Sequence, residues 1–405
     1  MSSQRFRIGK RAVTASDPGW QTVLAEARRI GQRPRCLCTE SGVDMYIASA
    51  GGHLIVKRMP LSGATHAPGC ESFTPPAELS GLGPLLGAAI EDDGDQTKLK
   101  LAFALSLTGA APAPAADSEP GDTVASDPAR LSMRAAVHYL WEQAGFTRSA
   151  PSTGSAHTWP VVRRALLGAA RDKTTKGRSL LDSLYLPEAY DADHRAELAA
   201  RHTKVMRMIS AEPARGRTRL MLLLGEVAAI TPGRIGHRMI LTQLPEFPIL
   251  LADDLHHRLN RRFSAELEMW DANEDTRLVV AGTISASRGG VPSVHELTLM
   301  TVTGAWIPYE SMTERLLLDH LIDQKRSWVK GLRYNLPESA SLATAVLTDT
   351  DPATALYLCD GDQRRRAIDE LIADSELSSW IWDTATDLPP LPEIIAHDGI
   401  SRERT

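Results

Sequence analysis

Three cysteines and one histidine have a spacing that is typical of a protein-bound metal ion. Cys36 and Cys38 form a C-x-C pair, and after a gap of 27 residues His66 and Cys70 form an H-x-x-x-C pair. Zinc prefers thiolate and imidazole ligands, and structural zinc sites complete the tetrahedron with four protein ligands. The spacing therefore predicts a structural zinc site at these four residues. The alternative is that the cysteines are small buried apolar residues and that His66 lies in a loop without a ligand role.

The segment between the two pairs predicts the element that brings them together. Residues 43–48 and 53–57 have the composition of two short strands, and the small residues at 49–52 are typical of a hairpin turn. A hairpin returns the chain to its starting point, so the second ligand pair would lie beside the first. We therefore predict a zinc-ribbon-like β-hairpin module within residues 1–108.

A basic segment follows in the middle of the chain. Residues 160–220 contain 13 Lys or Arg residues against 7 Asp or Glu residues, although the whole chain has a net charge of -5. Two helices followed by a short extended piece are predicted here, which resembles a helix-turn-helix or winged-helix unit. The alternative is an ordinary solvated surface. The residues predicted to contact DNA phosphates are Arg163, Arg164, Lys173, Lys176 and Arg178.

Three carboxylates in the C-terminal part belong to a succession of helix, three strands and helix that resembles the PD-(D/E)xK nuclease superfamily. Glu314 lies on the first helix, and Asp349 and Asp360 end two of the strands. In that superfamily carboxylates hold a divalent metal that activates water. The strand that ends at Asp360 lacks the expected lysine, so the resemblance implies either an inactive nuclease-like core or a nuclease that uses these three residues with Mg or Mn. The simpler alternative is that Asp349 caps a turn and Glu314 pairs with an arginine on its own helix.

Composition narrows the classes of protein further. The chain has 45 basic and 50 acidic residues, so no overall basicity indicates nucleic acid, and aromatic residues are sparse at 5%. No apolar run is long enough to span a bilayer, and the first residues lack the apolar segment of a secretory signal. Few cysteines, three of them at metal-ligand spacing, fit a reducing compartment better than a disulfide scaffold. We therefore predict a cytoplasmic protein without a membrane partner.

Shifts in composition divide the chain into five segments of an α+β protein. Residues 109–130 are rich in alanine, proline and acidic side chains, offer little to bury and predict a disordered linker. The predicted segments are the zinc-binding module at 1–108, the linker at 109–130, a basic helical, winged-helix-like module at 131–215, an α/β module resembling a restriction-endonuclease-like core at 216–388, and a disordered tail at 389–405.

Five stretches carry a second resemblance. They are the Cys-Leu-Cys and His-Ala-Pro-Gly-Cys-Glu-Ser-Phe elements around the metal ligands, Lys-Thr-Thr-Lys-Gly-Arg-Ser at 173–179, Trp-Val-Lys-Gly-Leu-Arg-Tyr at 328–334, and Ala-Val-Leu-Thr-Asp at 345–349. Together they are similar to an uncharacterised bacterial family, domain of unknown function 1173. Members of that family tend to be encoded on plasmids and integrative elements, so the resemblance implies DNA transfer or maintenance. It supplies no established catalytic residue.

These observations predict a DNA-associated accessory protein of a plasmid or integrative element, with a structural zinc ion and an inactive nuclease-like domain. Two alternatives stay open. One is a metal-dependent nuclease that uses Glu314, Asp349 and Asp360, which alone would require Mg or Mn. The other is a protein-interaction scaffold that binds no DNA. The partner is therefore DNA or another protein, and the sequence indicates no oligomeric state.

Overall fold

The structure is a computed structural model that describes residues 4–50, 52–59, 62–93, 96–108, 128–151, 157–210 and 217–395. Within these residues the chain forms α-helices and several sheets, so the predicted α+β class is confirmed. None of the described helices has both the length and the apolar character needed to cross a membrane.

The N-terminal sheet has five antiparallel strands in the order β2-β1-β3-β4-β5. Side chains alternate along a strand, so Phe6 and Ile8 point to one face and Arg5 and Arg7 to the other. Helix α1 covers the apolar face with Leu24, which packs in one cluster with Ile8. The predicted hairpin is present as β4 and β5. The elements are β1 (Arg5–Ile8), β2 (Arg11–Thr14), α1 (Trp20–Arg29), β3 (Arg35–Cys36), β4 (Val43–Ala50) and β5 (His53–Arg58).

A second sheet joins distant parts of the chain in the order β11-β10-β7-β6. Strand β7 pairs in parallel with β10, where Thr97 lies opposite Lys173. The β10–β11 hairpin turns through Lys176 and Gly177, both with positive φ, which is the type I′ geometry that matches the strand twist. A separate pair joins β8 to β13. The strands are β6 (Ile90–Asp92), β7 (Thr97–Leu99), β8 (Ser106–Thr108), β10 (Lys173–Thr175), β11 (Arg178–Ser179) and β13 (Arg217–Arg219).

The middle of the chain contains three helices. Helix α2 begins after Ser132, whose side chain accepts a hydrogen bond from Ala135 N at 3.1 Å, and eight of its 11 residues are buried. Helix α3 packs against α2 and has Pro160 in its first turn, where a missing N–H is tolerated. The elements of this region are α2 (Met133–Gln143), β9 (Arg148–Ser149), α3 (Trp159–Ala169), β12 (Leu184–Tyr185) and α4 (Arg195–Ser210).

Residues 221–302 form a closed barrel of five strands, in the order β14-β15-β16-β18-β17 and back to β14. Strand β14 pairs with β17 through residues 221–226 and with β15 through residues 227–232, so it must bend between them. Gly225 lies at this bend, where a Cβ would be 2.7 Å from Leu241 Cδ1. The elements are β14 (Met221–Pro232), β15 (His237–Leu241), β16 (Leu244–Leu251), α5 (Asp253–Arg262), α6 (Ser264–Ala272), β17 (Arg277–Ala286) and β18 (Pro292–Val302).

The C-terminal sheet has the order β22-β21-β20-β19-β9, and only its β21–β22 pair is parallel. Helix α7 precedes its strands β19 to β21, and α8 follows them, so the predicted succession of helix, three strands and helix is present. A strand that the sequence did not reveal, β22, follows α8. The elements are α7 (Met312–Asp323), β19 (Trp328–Lys330), β20 (Ala345–Leu347), β21 (Thr354–Cys359), α8 (Asp362–Ala373) and β22 (Ser378–Asp383).

The hydrophobic core crosses the predicted segment boundaries. One buried cluster includes Leu85, Leu140, Leu222 and Tyr334, which come from three of the five predicted segments. Strands β7, β8 and β9 also pair with strands of a different predicted segment. The segments 1–108, 131–215 and 216–388 therefore share a core, because their apolar surfaces bury one another.

The predicted linker and tail are only partly within the described residues. Residues 109–127 and 396–405 lie outside them. Residues 389–395 pack on the C-terminal sheet: Arg326 Nη1 donates to Pro392 O at 2.8 Å, and Ile395 N donates to Asp349 O at 2.9 Å. The prediction that disorder begins at residue 389 is therefore wrong, because this extended segment has partners that its proline-rich composition does not reveal.

Two buried histidines predict a loss of stability in mild acid. Burial lowers the pKa of His138 to about 3 and the pKa of His202 to about 4, whereas an unfolded histidine titrates near 6.5. The unfolded chain therefore binds protons that the folded protein excludes, so stability is full above that pH and falls below it. Between pH 6.5 and pH 5 we expect the free energy of unfolding to fall by roughly 2 kcal/mol per histidine.

Urea denaturation at pH 7 and pH 5 measures this loss. His202→Gln is the informative variant, because a glutamine oxygen can still accept a hydrogen bond from Tyr185, which lies 2.8 Å from His202 Nδ1. We expect the variant to lose about half of the acid sensitivity assigned to the two histidines. Equal acid sensitivity in the variant and the parent would contradict the assignment.

Candidate metal centre

The first pair of predicted ligands lies where β3 leaves the N-terminal sheet. Cys36 is paired on β3 between Phe6 of β1 and Val43 of β4, and it is 1% exposed. Cys38 follows two residues later. Alternate residues of an extended chain point to the same side, so the two sulfur atoms face a common space.

The second pair lies on a loop that closes against this sheet. His66 follows a single 3₁₀ turn, Gly63–Thr65, and Cys70 follows four residues later. Thr74 N donates to Gly63 O at 3.2 Å and closes the loop. A Cβ on Gly63 would lie 1.7 Å from Thr74 Oγ1, so the closure requires glycine.

The four ligand atoms all lie within 4.8 Å of one another. The Sγ atoms of Cys36 and Cys70 are 3.7 Å apart, and His66 Nδ1 is 3.3 Å from Cys38 Sγ and 3.7 Å from Cys70 Sγ. Tetrahedral zinc, with bonds of about 2.3 Å to sulfur and 2.0 Å to nitrogen, places its ligand atoms roughly 3.5–3.8 Å apart. The predicted grouping is confirmed, its distances are compatible with zinc, and four protein ligands leave no position for a substrate.

Hydrogen-bond donors and burial act in opposite directions on the thiols. Gln4 Nε2 lies 3.2 Å from Cys36 Sγ and 3.4 Å from Cys70 Sγ, where it can stabilise negative charge. Burial nevertheless raises the pKa of Cys70 to about 12 and raises the pKa of Cys38, while it lowers the pKa of His66. A divalent cation is therefore needed to hold three thiolates together, and its binding must displace thiol protons.

Three of the five predicted DNA contacts are exposed and two are engaged in the fold. Arg164, Lys176 and Arg178 are exposed. Arg163 Nε donates to Leu186 O at 2.9 Å. Lys173 is only 3% exposed; its Nζ lies 2.8 Å from Asp172 Oδ1 and 5.7 Å from the centre of the Tyr139 ring. Lys173 is therefore not accessible to an external phosphate, which corrects that prediction.

The three predicted catalytic carboxylates each have a different basic partner. Glu314 is 2.7 Å from Lys330 Nζ. Asp349 accepts two hydrogen bonds from Arg326, at 2.7 and 2.9 Å, and one from Ser327 N at 2.7 Å. Asp360 is 61% exposed and pairs with Arg364 at 2.6 Å. Among the described residues, only the Cys/His group brings three or more potential metal ligands together, so the three carboxylates do not form a shared site.

The Glu314–Lys330 pair belongs to a partly buried network that was not predicted from the sequence. Glu310 N donates to Glu314 Oε2, and Arg333 Nε donates to Glu310 Oε2 at 2.6 Å. Lys330 and Arg333 both lie in the stretch 328–334, where basic residues stand among apolar ones. A basic residue in a buried strand requires an acidic partner, so this pattern could have predicted the ion pairs.

The family comparison covers nearly the whole chain. Residues 6–385 match the family described as Protein of unknown function (DUF1173). The chain belongs to this family. No curated protein and no solved structure matches it.

The stretches that carried the resemblance to this family occupy defined places in the structure. The Cys and His elements form the candidate metal centre, and residues 173–179 form the β10–β11 hairpin. Residues 328–334 contain β19 and the buried Lys330, and residues 345–349 contain β20 and end at Asp349 beside Arg326. Three of these stretches therefore contain a charged residue of a buried or largely buried ion pair: Lys173 with Asp172, Lys330 with Glu314, and Asp349 with Arg326.

Removal of one sulfur tests the metal centre. We expect the purified protein to contain one zinc ion per chain, and Cys70→Ser to lose it together with stability, because one of the four ligands is gone. Elemental analysis and thermal denaturation measure both effects. Cys359→Ser is the matched control, since Cys359 is the buried fourth cysteine outside the site and its variant should keep the zinc. Full zinc content in Cys70→Ser would refute the assigned ligand set.

Removal of one partner tests the buried ion pair. Glu314 is 7% exposed and Lys330 is 5% exposed, so Lys330→Met leaves a buried carboxylate without its cation and should destabilise the protein by about 3–5 kcal/mol. In the double variant Glu314→Gln/Lys330→Met, the uncharged amide still accepts the hydrogen bond from Glu310 N. We expect a clearly smaller loss in urea denaturation for the double variant. Equal losses would show that the charges are not coupled.

Proposed function

We propose that this chain is a DNA-associated accessory protein of a plasmid or integrative element, and that it binds duplex DNA through α3 and the β10–β11 hairpin. Membership of the family supports the link with mobile elements, which is what the resemblance implied. The observation that carries the DNA proposal is a basic surface formed by the exposed stripe of α3 and the tip of the hairpin.

The exposed residues of α3 form a single stripe. Pro160, Arg164 and Gly168 recur every four residues, and Arg171 extends the same face just past the end of the helix. Gly168 adds no side chain between the two arginines, and a Cβ there would meet nothing within 4 Å. No side chain therefore protrudes from the helix between the two arginines, and a phosphate backbone can approach the helix closely there. In the described part of the chain, neither arginine has an ion-pair partner.

The hairpin that follows α3 along the chain adds two further cations. Its type I′ turn projects Lys176 and Arg178, both exposed, at the tip. A helix followed by a hairpin is the arrangement of winged-helix proteins, in which the helix enters the major groove and neighbouring basic residues contact the backbone. The exposed residues of the predicted set, Arg164, Lys176 and Arg178, together with Arg171, are thus the proposed phosphate contacts.

The other two parts of the proposal concern the zinc ion and the C-terminal sheet. A zinc ion with four protein ligands has no open position, which supports a structural role. The C-terminal succession of helices and strands supports a nuclease-like domain. We propose that it is inactive, since Glu314, Asp349 and Asp360 are each neutralised by their own cation and offer no cluster of negative charge to Mg or Mn.

A titration of labelled duplex DNA at several salt concentrations tests the proposal. We expect Arg164→Ala/Arg171→Ala to weaken binding at least roughly tenfold and to reduce the salt slope by about 1.8, since each lost phosphate contact removes about 0.9. Arg365→Ala/Arg366→Ala makes the same charge change on the exposed surface of α8 and should bind like the parent. An α3 variant that binds like the parent would refute the proposed surface.

The same titration separates the alternatives. Absence of binding to duplex at low salt would leave the protein-interaction scaffold as the better account. Products that appear only with Mg or Mn, and disappear in Asp349→Asn, would establish the nuclease instead.

A further inference from the structure

The barrel at residues 221–302 has a strand connectivity known from one class of binding domain. Strands β14, β15 and β16 form a meander, helices α5 and α6 follow, and β17 and β18 form a hairpin. Strand β18 inserts beside β16 in parallel, and β17 closes the barrel on β14. Five strands in the order 1-2-3-5-4-1, with a helix between the third and the fourth, define the OB-fold.

Two details of the barrel agree with this connectivity. Its first strand, β14, bends at Gly225 and so pairs with β17 before the bend and with β15 after it. Next to the bend, Gln243 Oε1 accepts a hydrogen bond from Glu226 N at 3.0 Å. The helix between the third and fourth strands packs on the interior, because Leu255 and Leu259 of α5 belong to the same apolar cluster as the inward residues of all five strands.

OB-folds bind single strands and oligosaccharides on the face of their second and third strands, between the 1–2 and 4–5 loops. Here the register places the two loops next to one row of paired residues, and they leave that row in opposite directions. Arg238 of β15 lies opposite Leu250 of β16, Leu250 lies beside Ser293 of β18, and Ser293 lies opposite Ser285 of β17. The loops at 233–236 and 287–291 leave from the two sides of this row, which spans about 15 Å across four strands.

The side chains along this row and on its two loops combine positive charge with exposed apolar surface. Arg234 and Arg238 are exposed and, within the described residues, have no ion-pair partner. Ile235 is 86% exposed, Val291 is 43% exposed and Leu250 is 36% exposed. Guanidinium groups bind phosphates and stack on bases, and apolar side chains support the faces of unstacked bases.

Of the acidic residues near this charge, Asp254 pairs with Arg258 at 3.1 Å, whereas Asp253, at the start of α5, is exposed and lies 3.3 Å from His237. On the side toward the 287–291 loop, Glu246 of β16 pairs with Arg195 of α4 at 2.6 Å. Ile235, Leu250 and Val291 stay exposed beside these contacts.

We infer that the face of the barrel along this row, with its two flanking loops, is a binding site for single-stranded nucleic acid, with Arg234 and Arg238 on the phosphates and Ile235, Leu250 and Val291 against the bases. This site uses different residues from the proposed duplex-binding surface of α3, so each of the two proposals can be refuted without affecting the other. Exposed arginines next to exposed apolar side chains suit single-stranded nucleic acid, which offers both phosphates and the faces of unstacked bases. A neutral oligosaccharide has no charge to pair with the arginines and fits this surface less well.

Titration of the full-length protein with fluorescein-labelled oligo(dT) tests the inference. We expect binding that weakens steeply with salt. Arg234→Ala/Arg238→Ala should weaken it at least roughly tenfold and reduce the salt slope by about 1.4, since each phosphate contact to a single strand contributes about 0.7. Ile235→Ser changes a side chain that is 86% exposed, so it should fold normally and weaken oligo(dT) binding without changing the salt slope.

Three controls give the results that would overturn the site. Arg365→Ala/Arg366→Ala on α8 should bind oligo(dT) like the parent. Arg164→Ala/Arg171→Ala should weaken duplex binding and spare oligo(dT); the reverse pattern, with the barrel variant unaffected, would assign single strands to α3 and refute the inference. Polyglutamate of matched charge should compete poorly, and competition equal to that of unlabelled oligo(dT) would indicate an acidic protein partner instead.

Discussion

Helix α2 lies within a buried cluster to which several distant parts of the chain contribute. Eight of its 11 residues are buried, so its apolar side chains point in all directions rather than along one stripe. It contacts α3 and the barrel strands β17 and β18. His138 accepts a hydrogen bond from Tyr334 N at 3.0 Å, and Trp141 Nε1 donates to Trp306 O at 2.8 Å. A helix that is apolar all round is stable only when it is enclosed, so the surrounding sheets depend on it and on one another.

The metal centre is connected to this shared core through a short segment. Beyond Cys70 the chain reaches the C-terminal sheet, where Gly81 N donates to Leu332 O at 2.9 Å and Leu79 O accepts from Ala343 N at 2.9 Å. A Cβ on Gly81 would lie 1.9 Å from Arg333 O, so this approach of two backbones requires glycine. A metal ion that fixes His66 and Cys70 to the N-terminal sheet therefore also fixes the start of a segment that belongs to the C-terminal core.

The features that the sequence predicts correctly are those whose determinants are local and involve rare residue types, and in this respect sequence-based prediction works. The four metal ligands fall on two short segments joined by a hairpin, and helix α3 and the C-terminal succession of elements follow from local periodicity. It failed where burial is decided by a distant segment. Lys173 lies in a polar stretch, and only the packing of β10 beside β7 and Tyr139 turns it inward. The barrel was missed for the same reason: its closure depends on β17 returning to β14, and no local pattern specifies that pairing.

Both proposals about nucleic acid depend on which charges of this protein are paired and which are exposed without a partner. The buried charges of Glu314, Asp349 and Lys173 all have partners, because an isolated ion in a low-dielectric interior costs several kcal/mol. The cations on α3 and around the 233–236 loop of the barrel are exposed, and no ion pair with them is found among the described residues. In a chain with a net charge of -5, acidic surface elsewhere would repel a polyanion and favour its approach to these two surfaces. The two proposed surfaces therefore depend on exposed cations, and the proposal of an inactive nuclease-like domain depends on carboxylates that each have their own basic partner.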